Sequence, residues 1–453
     1  MLFFVGQLNV PQEEITVIIA GISLSTTFAN VTGVSVLIGL ASAVETMASQ
    51  LYGSHQYREV GYVVQRSILI LGISCLPILG VWHLAPAIFH MAGVSTEICG
   101  IVGVALRIRA LGLPMDVVRY SLERYLTAIN VTQPLMIASI FLDIELIILC
   151  FSTITMSQLD YTSICYNFII SSYLGGLVLI AVCSRNNAVM EPLQWPSLEA
   201  FYHWGDFLRL GGAGAVMLCC EWWAYEVLVL MAGFLGTAAI DAQSIILMFV
   251  GLLYSIPLGF STVVSVQVGQ CVGAGRVDDA KAVGHAGSVT ILLVQGALSL
   301  VVRILGPYYV TMFTSDPDVL SQIRDSITHV CVFVLMDGIQ NVGGGILRGA
   351  GKQNLGAGLN FIAFYVIGLP MSYQICFHWG FGVSGLILGM SCANAIQAVV
   401  QQSLLIGWPD LLFGDTGAWL QYHREPRRNQ YTAIPEVEIE LATDGDGNTT
   451  ADL

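Results

Sequence analysis

Charged side chains are scarce in this sequence, and basic ones are the scarcer kind. Of its 453 residues 11% are charged, with 17 Lys and Arg against 31 Asp and Glu, so the formal net charge is −14. A chain this acidic offers little positive charge to a phosphate backbone, which argues against a nucleic-acid partner. With 55% hydrophobic residues and a mean hydropathy of +0.74, the composition indicates a multi-pass membrane protein.

The motifs of several other protein classes are also missing. The eleven cysteines lie mostly inside apolar segments and form no CxxC pair, so neither a disulfide framework nor a zinc site is indicated. There is no nucleophile–base pair, and the glycine-rich stretches have no Walker or GxGxxG context. We therefore expect no enzyme activity, no cofactor and no metal site.

Long apolar runs, in contrast, fill most of the chain. A helix needs about 20 residues to cross a bilayer, and about eleven segments meet that length. They are Ile15–Ala43, Gly61–Leu84, Ile98–Leu122, Pro134–Met156, Ser163–Cys183, Leu210–Gly233, Ala239–Val263, Val283–Leu305, Ile327–Leu347, Leu355–Phe377 and Val383–Gly407. Met1–Leu8 is too short to span and too short for a signal peptide. It resembles the last turns of a further helix whose beginning is absent.

Basic residues between the spans indicate the orientation. Most of them, such as Arg58 and Arg276, fall on one alternating set of connections, whereas Arg303 and Arg324 flank one loop of the other set. By the positive-inside rule the richer side is cytoplasmic, and it includes the C-terminus. Arg107 and Arg109 lie inside a span and are left unassigned.

An internal repeat is readable in the sequence. Gly39–Gly53 parallels Gly259–Gly273 at one constant offset, with the pairs Gly39/Gly259, Val44/Val264, Gln50/Gln270 and Gly53/Gly273. Both stretches end a span on the cytoplasmic side, so the two halves run in the same direction. This is a transporter arrangement, with the binding site between or within the halves. We expect the two stretches to superpose.

Two acidic residues stand inside predicted spans. A carboxylate at a helix centre costs roughly 2.5 kcal/mol or more unless it faces a cavity or a partner, and such residues usually mark ion or proton pathways. Glu221 is near the middle of its span, and Asp337 is followed by Gln340 and Asn341 on the same helical face. We expect both acids to lie in one lobe and face one cavity. The alternatives are a structural hydrogen-bond cluster for Asp337 and an interfacial position for Glu221.

Further polar and aromatic residues are candidates for a substrate cavity. Glu226 is about 140° around the helix from Glu221, and a cavity rim or a plain interfacial position are equally open for it. In the first half, Asn30 lies on a face of small polar residues. The aromatic rings could bind a cation through their faces. The candidates are Trp222, Tyr225, Glu226, Gln243, Tyr254, Gln340, Asn341, Tyr365 and Asn30.

At several of these residues the chain resembles the multidrug and toxic compound extrusion (MATE) family, of the eukaryotic type. The matching stretches occur in family order and cover most of the chain. They are Asn30–Ser35, Glu45–Gly53, Gln65–Ser67, Glu221–Glu226, Gly269–Gly275, Asp337–Gln340, Leu347–Gln353 and Tyr365–Pro370. Each stretch alone is a weak signal, but the combination is specific.

The resemblance implies an all-α fold of two pseudo-symmetric six-helix lobes. The N-lobe is expected at 1–190 with its first helix largely missing, the C-lobe at 191–407, and an acidic, disordered cytoplasmic tail at 408–453. Glu221 matches the family's acidic position in the seventh helix, and Asp337 matches the tenth-helix position. One further acid, found on the eighth helix of some animal members, is Met248 here, so the full set of cation-binding carboxylates of those members is not expected.

The resemblance also implies the activity. We expect a secondary active antiporter that exports organic cations, xenobiotics or metabolites in exchange for protons, with Na+ as the alternative coupling ion. Its partners are expected to be a small organic solute and membrane lipids, and the protein itself a monomer in the plasma, vacuolar or lysosomal membrane. Two other functions remain open, a lipid or lipid-linked precursor flippase on the same fold and a non-transporting receptor or scaffold.

Overall fold

The structure, a computed structural model, describes residues 12–155, 160–193, 196–311, 314 and 316–414. Every regular element in these ranges is helical, which confirms the predicted all-α class. Met1–Leu8 and the tail beyond Gly414 lie outside the described residues, and the predictions made for them stay predictions.

The described residues of the first half form eight helices. Helix α1 (Gln12–Ala29) continues through a π-helical turn (Asn30–Val34) into α2 (Ser35–Gly53), so that the three form one continuous rod. Then follow α3 (Tyr57–Met91), α4 (Thr96–Ala110), α5 (Leu113–Ala128), α6 (Gln133–Thr155), α7 (Tyr161–Ser184) and the short α8 (Asn187–Met190). Helices α4 and α5 are bent by 53° at their break.

The second half repeats this pattern of long helices. After a 3₁₀ turn (Leu198–Phe201) come α9 (Trp204–Gly233), α10 (Thr237–Gly273), α11 (Val277–Val310) and α12 (Pro317–Gly349). Next are α13 (Gln353–Phe361), a π-helical segment (Ile362–Gly368), α14 (Leu369–Tyr373) and a second π-helical segment (Gln374–His378). The described chain ends with α15 (Gly382–Gly407) and α16 (Pro409–Phe413).

These helices match the predicted spans. In the described ranges ten are long and apolar enough to cross a membrane, and the bent pair α4–α5 makes an eleventh. The chain is therefore a multi-pass integral membrane protein. At about 1.5 Å of rise per residue, the 37 residues of α10 extend about 55 Å, well beyond a hydrocarbon core of about 30 Å. The repeated motif at its C-terminal end is thus far from the middle of the helix.

Among the described residues, three buried hydrophobic clusters hold helices together. One joins α1, α4, α6 and α7, with Ile22 and Ile164 fully buried at its centre. The other two lie among α9 to α16, around Phe364 and around Val342. Each cluster draws its residues from one side of the predicted boundary at 190. The division into two lobes stays a prediction.

The two copies of the repeated motif meet at their ends. A Cβ on Gly53, the last residue of α2, would overlap the carbonyl oxygen of Gln270, and a Cβ on Gly273, the last residue of α10, would overlap that of Gln50. Only glycine permits so close a backbone approach. We call the contact of Gly53 with Gln270 and of Gly273 with Gln50 the crossing. Because both helices end there, they run toward the same side of the molecule, in agreement with the expected parallel repeat.

Left-handed residues after the helices follow the same repeat. His55 and Gly275 both have a positive φ shortly after α2 and α10, and so do Asn130 and Gly351 after α5 and α12. A residue in this conformation commonly ends a helix. The two halves therefore share their helix terminations as well as their sequence motif.

The packed part of the chain extends beyond the predicted start of the tail at 408. Residues Pro409–Phe413 form α16, and Leu412 and Phe413 are buried in the cluster with α10, α12 and α15. Their apolar side chains complete that core, so residues 409–413 belong to the packed helices and not to a tail.

Candidate functional site

The two intramembrane acids of the second half lie together. Glu221 in α9 is 6% exposed and Asp337 in α12 is 4% exposed, and the two carboxyl groups interact electrostatically. Asn394 of α15 donates a hydrogen bond from Nδ2 to Asp337 Oδ1 at 3.3 Å. Within the described residues neither acid forms an ion pair. Three helices thus enclose two acids that form no close ion pair among the described residues.

Two tyrosines complete this cluster. Tyr225, one turn after Glu221, lies beside Asp337 and Asn394, and its ring packs edge-on against Phe333 with centroids 5.9 Å apart. Tyr254 reaches the same acids from α10. Hydroxyl groups can donate or accept as needed, so the cluster can keep its hydrogen bonds when an acid gains or loses a proton.

The predicted polar stripe on α12 faces the protein interior. Gln340 and Asn341 are buried, the side chain of Asn341 lies beside Tyr254, and its backbone oxygen accepts from Ser261 Oγ at 2.6 Å. Gln243 is completely buried, and neither polar atom of its side chain has a hydrogen-bond partner among the described residues. Its amide group is therefore buried with its hydrogen-bonding capacity unused by the described residues.

The other predicted site residues surround this cluster less closely. Trp222, Glu226 and Tyr365 are half-buried, and Tyr365 lies stacked on Phe361 and beside Cys219 and Cys220 of α9. Asn30 is half-buried at the start of the π-helical turn, a segment that α9 contacts through the bond from Trp223 Nε1 to the Val31 oxygen.

Met248, at the position of the further acid, does not face a buried site. It is 56% exposed on α10. The described residues also contain no group of three or more His, Cys, Asp or Glu side chains placed to hold a metal ion.

Sequence reasoning missed three residues that contact or approach this region. Asn394 binds Asp337, Glu45 in α2 is fully buried, and Arg348 at the end of α12 lies between Glu45 and the acid cluster. Asn394 and Glu45 are polar residues within helical apolar surroundings, which is a detectable signal. Arg348 lies in the family-like stretch Leu347–Gln353, but the sequence predicted no role for it.

A second charged cluster occupies the break between α4 and α5. Asp116, 2% exposed, has Arg109 Nη1 at 2.6 Å and Arg119 Nη2 at 3.9 Å, and it accepts a hydrogen bond from Ser172 at 3.3 Å. Arg107, the other unassigned arginine, donates from Nε to the backbone oxygen of Gly103. Of the two arginines inside this span, Arg109 therefore braces the bend, and Arg107 bonds within its own helix.

A multi-pass helical bundle with an internal repeat and uncompensated buried acids defines a membrane transporter class rather than an enzyme. The MatE family model matches residues 2–152 and 214–374. The chain belongs to this family, whose members are transporters, and the resemblance read from the sequence is confirmed.

Two relatives of this chain support the family assignment. Human multidrug and toxin extrusion protein 1 is 30% identical over 378 residues, which are 83% of this chain and 66% of the human protein. Multidrug and toxin extrusion protein 2 of Pongo abelii is 30% identical over 406 residues, 86% of this chain and 70% of that protein. The chain thus spans just under two thirds of the human relative.

Solved structures share the fold. The eukaryotic MATE transporter AtDTX14 superposes with a TM-score of 0.83 over 91% of both chains, at 24% identity. A mutant of the Vibrio cholerae MATE transporter VcmN gives 0.79 over 89% of this chain and 90% of its own, at 16% identity. At these identities the likeness concerns the fold alone, and it confirms the predicted MATE-like architecture.

Proposed function

We propose that this protein is a secondary active antiporter that exports organic cations, xenobiotics or cationic metabolites in exchange for protons. The observation that carries the proposal is the pair Glu221 and Asp337, two buried acids that face each other without an ion-pair partner in the described residues. A buried pair of like charges is costly, so it favours binding a proton or an organic cation.

The cycle follows from competition for the same charge. Ionised Glu221 and Asp337 attract a cationic solute, and the faces of Tyr225, Tyr254, Trp222 or Tyr365 offer it a cation–π contact. A proton that arrives from the outside cancels the attraction and releases the solute. The difference in binding between the two states couples proton entry to solute export.

The remaining features of the proposal come from the sequence. The protein acts as a monomer in contact with membrane lipids, in the plasma membrane or a vacuolar or lysosomal membrane, without a cofactor. H+ is the proposed coupling ion and Na+ the alternative. The cluster sets two carboxyl groups against the one guanidinium of Arg348, so its charge balance favours an organic cation over a lipid-linked phosphate.

The test is efflux of a fluorescent organic cation from proteoliposomes that contain the full chain. An imposed pH jump should drive efflux, and a sodium gradient of equal size should not. Efflux driven by the sodium gradient alone would make Na+ the coupling ion instead of H+. No gradient-driven efflux, despite correctly inserted protein, would contradict the antiporter and favour the receptor or scaffold.

The orientation has its own test. The excess of basic residues on one set of connections places the C-terminus in the cytoplasm. A tag fused after Leu453 should therefore survive protease added outside intact cells and be digested after permeabilisation. Digestion without permeabilisation would reverse the proposed topology.

A further inference from the structure

Glu45 makes a charged contact between the two halves of the chain. It is 0% exposed, and Arg124 of α5, in its own half, lies 2.5 Å from Oε2. Arg348 of α12, in the other half, brings its Nε to 3.9 Å from Oε1. Glu45 thus has two ion pairs. The pair with Arg124 lies within one half, so of these two only the pair with Arg348 changes when the halves move apart.

The hydrogen bonds around Arg348 tie the same helix end to α2. Its backbone oxygen accepts from Thr46 Oγ1 at 2.9 Å, and the next one, of Gly349, accepts from Gln50 Nε2 at 2.8 Å. In the equivalent bond of the repeat, Gln270 Nε2 donates to the Ala128 oxygen at 2.9 Å. The crossing described above is thus closed by matched bonds from both halves.

Arg348 also belongs to the acid cluster. Its Nη2 donates to Ser261 Oγ of α10 at 2.7 Å, and Ser261 in turn donates to the backbone of Asn341. Arg348 is the cation that interacts with Glu221. One guanidinium therefore lies between the carboxylate of Glu221 in its own half and that of Glu45 in the opposite half.

We propose that Arg348 is a positioning residue that transmits the charge at Glu221 to the contact between the halves. The inference rests on the proposed function, in which Glu221 exchanges a proton for a cation. Empty, ionised Glu221 attracts Arg348 and weakens its contact with Glu45. A proton or a bound cation cancels that attraction, and the contact with Glu45 strengthens. An occupied site shifts the equilibrium toward the closed crossing, and an empty site shifts it toward the open one.

The other groups around Glu221 do not reverse the effect of its charge on Arg348. Asp337 of α12 is the second acid; it interacts with Glu221, and its negative charge has the same sign as that of Glu221, so it does not reverse the effect on Arg348. Tyr225 of α9 and Tyr254 of α10 are neutral hydroxyls. The other helices packed on α9 contribute uncharged groups here: Ser35 of α2 accepts from Cys219, Asn360 of α13 donates to Met217, Asn394 of α15 binds Asp337, and Tyr365 lies beside Cys219 and Cys220.

The experiment measures the opening of the crossing directly. Spin labels are attached at Ser54→Cys and Ala274→Cys, equivalent positions just after α2 and α10, in the full chain in lipid nanodiscs. All eleven native cysteines are buried or half-buried, and the chain without the two substitutions is the control for labelling. As the pH falls, the ratio of short to long distances between the two labels should rise roughly five- to tenfold. This is the lower part of the range found for coupling between two binding sites.

Variants assign this shift to Arg348. Glu221→Gln should show the low-pH distribution at every pH. Arg348→Gln should reduce the pH shift to less than about twofold, a small part of an ordinary coupling, and Arg348→Lys should restore most of it. Glu45→Gln, which removes the opposite carboxylate, should flatten the pH dependence as Arg348→Gln does and serves as a second variant if that protein folds poorly.

Two matched controls separate charge transmission from damage. Ser261→Ala removes the bond to Nη2 but keeps the guanidinium, and Lys352→Gln removes a positive charge just beyond the same helix end. Both should keep the shift. A full pH shift in Arg348→Gln would overturn the inference. A shift lost in Lys352→Gln as well as in Arg348→Gln would also overturn it. The two failures are distinguishable, because absent proton-driven efflux in the unmodified protein contradicts the proposed function, whereas a full shift in Arg348→Gln contradicts only the role of Arg348.

Discussion

Each half of the chain buries acid inside a membrane-spanning segment, but the surroundings of the acids differ. Asp116 in the first half has two arginines within 4 Å and a serine hydroxyl. Asp337 in the second half has Asn394 and Tyr225, and its nearest charged neighbour is another acid, Glu221. Burial alone therefore does not distinguish the two acids, whereas the sign of the neighbouring charge does.

This difference indicates different roles. The carboxylate of Asp116 is paired with two guanidinium groups, so its charge serves the fold. It stabilises the bend between α4 and α5. Two facing acids without close cations lower their energy by accepting a positive charge, which is what a cation or proton exchanger requires. Substitutions that remove each charge should separate the roles.

The largest effect is expected for Glu221→Gln. The amide has nearly the shape of the protonated acid but cannot titrate, so it should abolish pH-driven efflux of the dye while membrane insertion stays normal. Efflux is measured from proteoliposomes after a pH jump and normalised to inserted protein. Efflux equal to the unmodified protein would end the proton-carrier assignment of Glu221.

Asp116→Asn should damage stability rather than exchange. It leaves Arg109 without its carboxylate, which costs about 2 kcal/mol, less than the roughly 3–5 kcal/mol of a fully buried pair because Arg109 is partly exposed. The thermal unfolding midpoint in detergent should fall, and the efflux per folded molecule should keep its pH dependence. Normal stability with lost pH dependence would give Asp116 a role in coupling and erase the contrast between the halves.

Asp337→Asn should weaken transport less completely than Glu221→Gln. The amide can still hydrogen-bond Asn394, and Glu221 remains to carry the proton. We expect the initial efflux rate to fall about five- to tenfold, or about 1–1.4 kcal/mol in the barrier. An unchanged rate would leave Asp337 with a purely structural hydrogen-bond role.

Glu226→Gln should have the smallest effect. Glu226 is half-buried and lies outside the cluster of facing acids, so the rate should stay within about twofold, as for substitutions away from critical contacts. The same efflux assay applies, with Glu221→Gln as the inactive reference. A loss as severe as that of Glu221→Gln would extend the site to the rim.

Sequence periodicity predicted the helices and the repeat because both depend on local patterns. Eleven apolar stretches, the motif ending at Gly53 and Gly273, and the buried positions of Glu221 and Asp337 all follow from hydropathy and spacing. The bend between α4 and α5 did not, because it depends on Arg109 and Asp116 meeting in space. A single predicted span, Ile98–Leu122, crosses it.

Contacts between distant segments were likewise beyond the sequence. Asn394 is separated from Asp337 by 57 positions, and Arg348 from Glu45 by some three hundred, so no spacing rule connects them. The boundary of the tail at 408 was placed by composition, which does not register two apolar residues, Leu412 and Phe413, that complete a core.

The crossing of the two motif ends has a consequence for the origin of the fold. Each half offers a terminal glycine to a backbone carbonyl of the other half, and each glutamine binds a helix end in the opposite half. In the terms used for oligomers this is an isologous interface, in which one surface patch is complementary to itself. One motif is enough to build both of its sides, so a half-length chain would make the same contact with a second copy, and joining two copies end to end would preserve it.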